Sequence, residues 1–226
     1  MKISTSANFR LLSLLGAAAF FVVANIFAAD HGTPGVSLDA ALAKLMAGNA
    51  RYSSGNVSHP RQAAGRRAEV AKGQKPFAIV VGCSDSRTPP ERVFDQGLGD
   101  VFVTRLAGSI VDDAALGSIE YAIEHFNSSV IVVLGHERCG AVDAAMKGGK
   151  APGKIGAVVK PIIPAVNAVK KSSTPTLDAA IDENARRTAA GLAGRSEILE
   201  GRVKAGTLKI VAARYDLDTG RVTLVK

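Results

Sequence analysis

The chain has 226 residues, 47% of them hydrophobic and 21% charged, with no low-complexity tract and no block of like charge. That composition excludes the disordered and fibrous classes and fits one enzyme-sized domain, or at most two small ones. The formal net charge is +8, yet aromatic residues make up only 5% and RQAAGRRAEV is the only notable arginine cluster, so the charge is assigned to a solvated surface and nucleic-acid binding is not expected.

In chain order, residues 1–29 come first. Lys2 and Arg10 precede the apolar stretch LLSLLGAAAFFVVANIF, and small residues follow it, which reads as a secretory signal removed near Ala24, Ala28 or Ala29. Cleavage after residue 29 removes two cations and no acid, taking the net charge from +8 to +6. The expected location is periplasmic or secreted, with residues 30–226 as the mature domain. The alternative is an N-terminal membrane anchor, since the apolar stretch approaches spanning length.

Ser37 then offers an N-cap, and Leu38, Ala41, Leu42, Leu45 and Met46 recur at helical spacing, predicting an amphipathic helix that ends near Gly48. QKPFAIVVG, DVFVTRLAG, SSVIVVLG and TLKIVAARYDL are short, rich in Val and Ile, and apolar on both faces, as expected of buried parallel strands. Between them lie helical patterns from Pro90 to Asp95, over residues 112–126, and over about 155–205. A turn at Asp218 to Gly220 leads into a short closing strand. The expected fold is α/β: a central, mainly parallel sheet of four strands plus the closing strand, flanked by helices.

Cys83 and Cys139 are the only cysteines. Export alone would favour a disulfide between them. Their placement argues otherwise. Cys83 follows FAIVVG and Cys139 follows VIVVLG by one turn that contains His136, so both fall beyond the carboxyl ends of strands, where open α/β sheets gather ligands. The spacing of His136 and Cys139 predicts that both lie on one face of a helical turn. Two sulfurs and one imidazole suit zinc and leave a fourth tetrahedral position free, as in catalytic rather than structural zinc sites. Asp85 and Arg87 stand beside Cys83, either as part of that chemistry or as an ion pair under a loop. A cysteine-phosphatase loop is excluded, because its arginine would fall at Pro89.

CSDSRTPPE, GDVFVTRLAG, SIEYA and VLGHERCGAV together resemble the β-class carbonic anhydrases, and the likeness runs from about residue 37 to ARYDLDTGRV. The resemblance implies zinc held by Cys83, His136 and Cys139, with Asp85 and Arg87 as a catalytic dyad. Asp85 orients the zinc hydroxide in an open state and replaces it as fourth ligand in a closed one. It further implies hydration of carbon dioxide to bicarbonate and a homodimer or dimer of dimers. The substrate pocket would be shared across the dimer, with Gln74 as polar donor and Phe102, Ala107 and Tyr121 as lining. Relatives that hydrolyse carbonyl sulfide or carbon disulfide use the same fold and ligands, and a non-catalytic zinc-stabilised module is the remaining alternative. Two departures stand out. RLAGS replaces the family's usual RNAGN at Leu106 and Ser109, which puts the hydrogen bonding beneath the site in question. Val80 replaces the tryptophan of a second, inhibitory bicarbonate site, so that site is not expected although Arg105 occupies its arginine position.

Overall fold

A computed structural model describes residues 35–226, and the secretory-signal expectation lies outside them. No helix of the described residues is long and apolar enough to cross a membrane.

The first helix, α1 (Leu38–Ser53), is capped by Ser37, whose hydroxyl accepts from the Ala40 N–H at 3.4 Å. It does not end near Gly48 as its spacing predicts. Gly48 sits mid-helix because a Cβ there would overlap the Phe94 carbonyl oxygen, so the glycine marks a close approach rather than a stop. One residue on, the buried Asn49 donates to Val93 O at 3.1 Å and Gly220 O at 2.8 Å and accepts from the Val222 N–H at 2.8 Å. The helix therefore continues because its second half is tied to distant loops.

A short helix not expected from sequence, α2 (Ala64–Val70), carries part of the arginine cluster. The sheet strands are β1 (Ala78–Gly82), β2 (Val101–Arg105), β3 (Val130–His136), β4 (Lys209–Tyr215) and β5 (Val222–Val225). Their order is β2-β1-β3-β4-β5, parallel except for the antiparallel closing strand. The doubly apolar strands are explained by their alternation. Ile79, Val81, Ile131 and Val133 face α4 (Asp113–Phe126), α7 (Leu177–Gly194) and α8 (Glu197–Lys204). Ala78, Val80, Val130, Val132 and Leu134 face α1 and α3 (Pro90–Val93). Each face is covered, so neither tolerates polar residues.

The helical region expected over 155–205 is three helices, α6 (Ile155–Val169), α7 and α8, broken at TPT before Leu177 and at Arg195–Ser196. Thr176 and Ser196 accept hydrogen bonds from the Ala179 and Leu199 N–H groups, and such capping residues start new helices. A further short helix, α5 (Gly140–Lys147), follows Cys139 directly.

Asp95 holds the loop after α3 in place. Its carboxylate accepts from Arg51 Nε at 2.6 Å, from both the N–H and the hydroxyl of Ser58 at 3.0 Å, and from the His59 N–H at 3.0 Å. Burial by itself would raise its pKa, but these donors outweigh burial and hold it at about 2. The unfolded value is about 3.9, so ionisation contributes roughly 2 to 3 kcal/mol of stability, present above about pH 4 and lost as pH falls towards 2. Asp95→Asn is expected to lower unfolding free energy by roughly that amount at pH 7, and urea titrations at pH 7 and pH 3 should show its deficit shrinking at the lower pH.

Candidate metal centre

Sheet topology brings the site together. From β1 the chain moves to β2 on one side and then crosses to β3 on the other, so the strand order reverses around β1. A crevice opens beyond the carboxyl ends of strands at such a reversal. Cys83 is the first residue beyond β1 and His136 is the last residue of β3, while Gly82 and Leu134 are paired neighbours.

His136 and Cys139 do not share a helical turn. The chain leaves β3 through Glu137 and Arg138, the latter with φ 52°, and Cys139 is the N-cap residue of α5. The left-handed residue reverses the chain and returns Cys139 towards the imidazole. The three ligand atoms, two Sγ and one imidazole nitrogen, lie within 4.8 Å of one another, and all three residues are buried. Both cysteines are free thiols rather than a disulfide.

Two observations test whether a metal ion fits this group. His136 Nδ1 lies 2.8 Å from the Glu137 carbonyl oxygen, which can only accept, so Nδ1 carries the proton and Nε2 presents a lone pair. That Nε2 is buried and has no hydrogen-bond partner. A buried nitrogen lone pair left unpaired beside two sulfurs is what a metal ion would satisfy, with the Glu137 carbonyl fixing the tautomer from behind. Of the two thiols, Cys83 is biased towards the thiolate that binds a metal. The Cys139 thiol donates to Cys83 and draws the Cys83 pKa far below the ordinary thiol range; burial opposes this, while the Gly108 N–H adds to it. The same contact with Cys83, together with burial, pushes Cys139 up.

The dyad residues lie beside this cluster. Arg87 grips Asp85 in a fork, Nε to Oδ1 at 2.9 Å and a terminal nitrogen to Oδ2 at 2.7 Å, and the Arg87 N–H adds a third bond to Oδ1 at 3.0 Å. These bonds hold the Asp85 carboxyl well below the usual carboxylate range. Its Oδ2 stands 3.8 Å from His136 Nε2, so the carboxylate borders the metal-ligand group while its charge is already balanced by Arg87.

The pocket residues are less closely gathered. Phe102 on β2 and Tyr121 on α4 both stack near Phe126, with ring centroids 6.1 and 5.7 Å away, and Tyr121 is 52% exposed. Ala107 begins the 3₁₀ turn Ala107–Ser109, one residue from the N–H that meets Cys83. Gln74 is exposed and lies before the start of β1, with the full strand, about 15 Å long, between that start and Cys83. Within one chain, Gln74 is not brought to the metal-ligand group.

The departures at RLAGS have a local answer. The Ser109 hydroxyl donates to Leu134 O at 2.8 Å, which supplies hydrogen bonding beneath the site, and Leu106 packs into the surrounding apolar clusters. Arg105 donates to Cys83 O at 2.7 Å and to Asp85 O at 2.6 Å, so its guanidinium clamps the loop that carries both site residues. Sequence reasoning missed this clamp, as well as the Gly108 N–H that lies 3.2 Å from Cys83 Sγ.

Residues 78–222 match the family model described as carbonic anhydrase. The chain belongs to the carbonic anhydrase family. It is 43% identical over 195 residues to carbonic anhydrase 2 of Mycobacterium tuberculosis, covering 84% of this chain and 94% of that protein. It is 42% identical over 189 residues to carbonic anhydrase of Mycolicibacterium smegmatis, covering 82% and 92%. Among solved structures, the β-carbonic anhydrase CafA of Aspergillus fumigatus superposes with a TM-score of 0.65 at 26% identity, covering 83% of this chain and 90% of that one. One of two tetrameric β-carbonic anhydrases of Sordaria macrospora shares the fold with a TM-score of 0.64 at 24% identity, covering 70% and 85%. The chain is thus a β-class carbonic anhydrase by family and fold, and hydration of carbon dioxide is the activity expected of it.

Proposed function

We propose that the ion held by Cys83, His136 and Cys139 is zinc and that this protein uses it for the reversible hydration of carbon dioxide. The single observation that carries this reading is the buried, partnerless Nε2 of His136 facing two cysteine sulfurs. Zinc, when bound there, acts as a Lewis acid that lowers the pKa of a coordinated water, making hydroxide available at near-neutral pH.

The protein's own groups orient and balance that chemistry. Asp85, kept ionised by Arg87, accepts a hydrogen bond from the attacking oxygen and fixes its direction. Release of Asp85 by Arg87 would free the carboxylate to approach the ion itself, and this exchange makes the pair a gate. Glu137 O holds the His136 ring, and Arg105 holds the Cys83–Asp85 backbone. An apolar pocket formed by Phe102, Ala107 and Tyr121 would admit carbon dioxide. Gln74 would serve it only from a second copy, since its own site is at the far end of β1. That supports a homodimer or a dimer of dimers, and the exposed Tyr121 fits an interface. Residues 1–29 are proposed to direct export, leaving a periplasmic or secreted enzyme without a stable membrane partner.

The test is stopped-flow hydration of carbon dioxide by protein of measured zinc content, with carbonyl sulfide and carbon disulfide assayed in parallel. Activity that rises in proportion to zinc supports the reading. Hydrolysis of either sulfur compound without carbon dioxide hydration would replace it, and zinc-loaded protein inactive on all three substrates would leave a structural module.

A further inference from the structure

We infer that Asn184 on α7 is a positioning residue of the metal centre, acting through Gly108 on the sulfur of Cys83. The inference rests on the metal-binding reading of Cys83, His136 and Cys139. The Asn184 side chain donates from Nδ2 to Gly108 O at 2.8 Å, and the N–H of the same Gly108 lies 3.2 Å from Cys83 Sγ. Asn184 is 76 residues from Gly108 in sequence and only 5% exposed.

The turn that carries this N–H does not hold itself in place. Gly108 has φ 75° and ψ 13°, and Ser109 beside it has φ 53°, so two successive residues are left-handed. Serine adopts that region at a cost, and such a conformation persists only where the surroundings impose it. A side chain at position 108 cannot supply the restraint, because a Cβ there would come within 2.6 Å of Ile162 Cδ1 and 3.2 Å of Ala141 Cβ. The turn closes on itself through Ser109 N–H to Leu106 O at 2.9 Å, and it is tied to distant elements by the Ser109 hydroxyl to Leu134 O at 2.8 Å and by Asn184 to Gly108 O. Only the last acts on Gly108 itself, whose freedom of rotation is greatest.

Asn184 reaches the turn because α7 lies close on β3. Gly135 permits the approach: a Cβ there would come within 3.1 Å of Ile181 Cγ2 and 3.5 Å of Ala185 Cβ. Along α7 the buried positions are Ala180, Ile181, Asn184, Ala185, Ala189 and Leu192, so the asparagine interrupts an otherwise apolar stripe. Its donor fixes the Gly108 backbone, the Gly108 N–H stays aimed at Cys83, and that hydrogen bond stabilises the sulfur in its ionised, ligating form and fixes the direction of its lone pair.

Asn184→Leu keeps the branched side-chain shape and extends the apolar stripe but removes the donor. With cobalt in place of zinc, the thiolate-to-cobalt charge-transfer bands of the variant are expected at lower energy than in wild type. Zinc competition against a chromophoric chelator should show a dissociation constant raised about 10- to 100-fold. Unchanged bands together with a dissociation constant within twofold of wild type would overturn the inference. Should the variant fail to fold, wild-type protein loaded with ¹¹³Cd decides: scalar couplings are expected from the Gly108 amide proton to cadmium and across the Asn184–Gly108 hydrogen bond, and absence of either overturns it. Wild-type protein that takes up none of these metals would overturn the metal reading, and this inference with it, whereas normal wild-type loading with an indifferent variant overturns this inference alone.

Discussion

His136→Ala is expected to abolish metal binding and to reduce carbon dioxide hydration to background, a loss of at least about a thousandfold. The imidazole is one of the three residues that could hold the ion, and its Nε2 is buried without a hydrogen-bond partner. Lewis-acid stabilisation is worth several kcal/mol and each 1.36 kcal/mol is tenfold in rate, so losing the ion removes three or more decades. The ring is also 1% exposed, so its truncation leaves a cavity beside two thiols. Elemental analysis of the purified variant, paired with the hydration assay, checks both claims. One equivalent of tightly held metal in His136→Ala, with activity near wild type, would remove His136 from the ligand set. In the same variant the two thiols are left without a competitor for each other, and titration with a thiol reagent before and after mild oxidation should show them pairing more readily than in the metal-loaded wild type.

Asp85→Asn is expected to lower hydration about 10²- to 10⁴-fold with metal content unchanged. Asparagine retains the size of the side chain but supplies only one acceptor oxygen and no charge, so the forked grip of Arg87 on two carboxylate oxygens is lost. Retained metal distinguishes this outcome from that of His136→Ala: Asp85 sits next to the ligands without being one in the described geometry. The pH dependence follows from the same contacts. Hydrogen bonds from Arg87 depress the Asp85 pKa in the folded protein, so the carboxylate is ionised throughout the range above its ordinary value near 4 and titrates only below it. Its contribution to stability is therefore present above about pH 4 and lost as pH falls further. Any limb of the wild-type activity profile between pH 6 and 9 should persist in position in Asp85→Asn, reduced only in height. A limb that vanished in the variant would assign that titration to Asp85 and contradict the grip of Arg87.

Much of the fold was legible because parallel strands covered on both faces must be apolar at every position, and AIVVG and VIVVLG carry that signal without ambiguity. The limits of helices were less legible. Gly48 resembles a stop in sequence but is an approach point, and whether a glycine ends a helix or admits a neighbour depends on what packs against it. The turn between His136 and Cys139 was misread for a related reason. A three-residue spacing is compatible with a helical face or with a left-handed turn at the end of a strand, and Arg138 at φ 52° takes the second form. Asn184 had one visible signal, a polar residue within an apolar stripe, but its target was 76 residues away.

By itself the sequence determined the chemistry available to this protein: two thiols, one imidazole and a carboxylate–guanidinium pair, each placed just past a run of buried-strand residues. Residue identity and local pattern are sufficient for that, because strand ends and ligand types are local properties. Only the tertiary structure decided how those groups are held. The reversal of strand order around β1 sets Cys83 beside His136, a carbonyl at Glu137 selects the imidazole tautomer, and Arg105 and Gly108 anchor the loop and sulfur of Cys83. Apart from the neighbouring Glu137 carbonyl, these hydrogen bonds join backbone and side chain across long separations, and the chain records them only as an arginine, a glycine and an asparagine whose partners folding alone brings near.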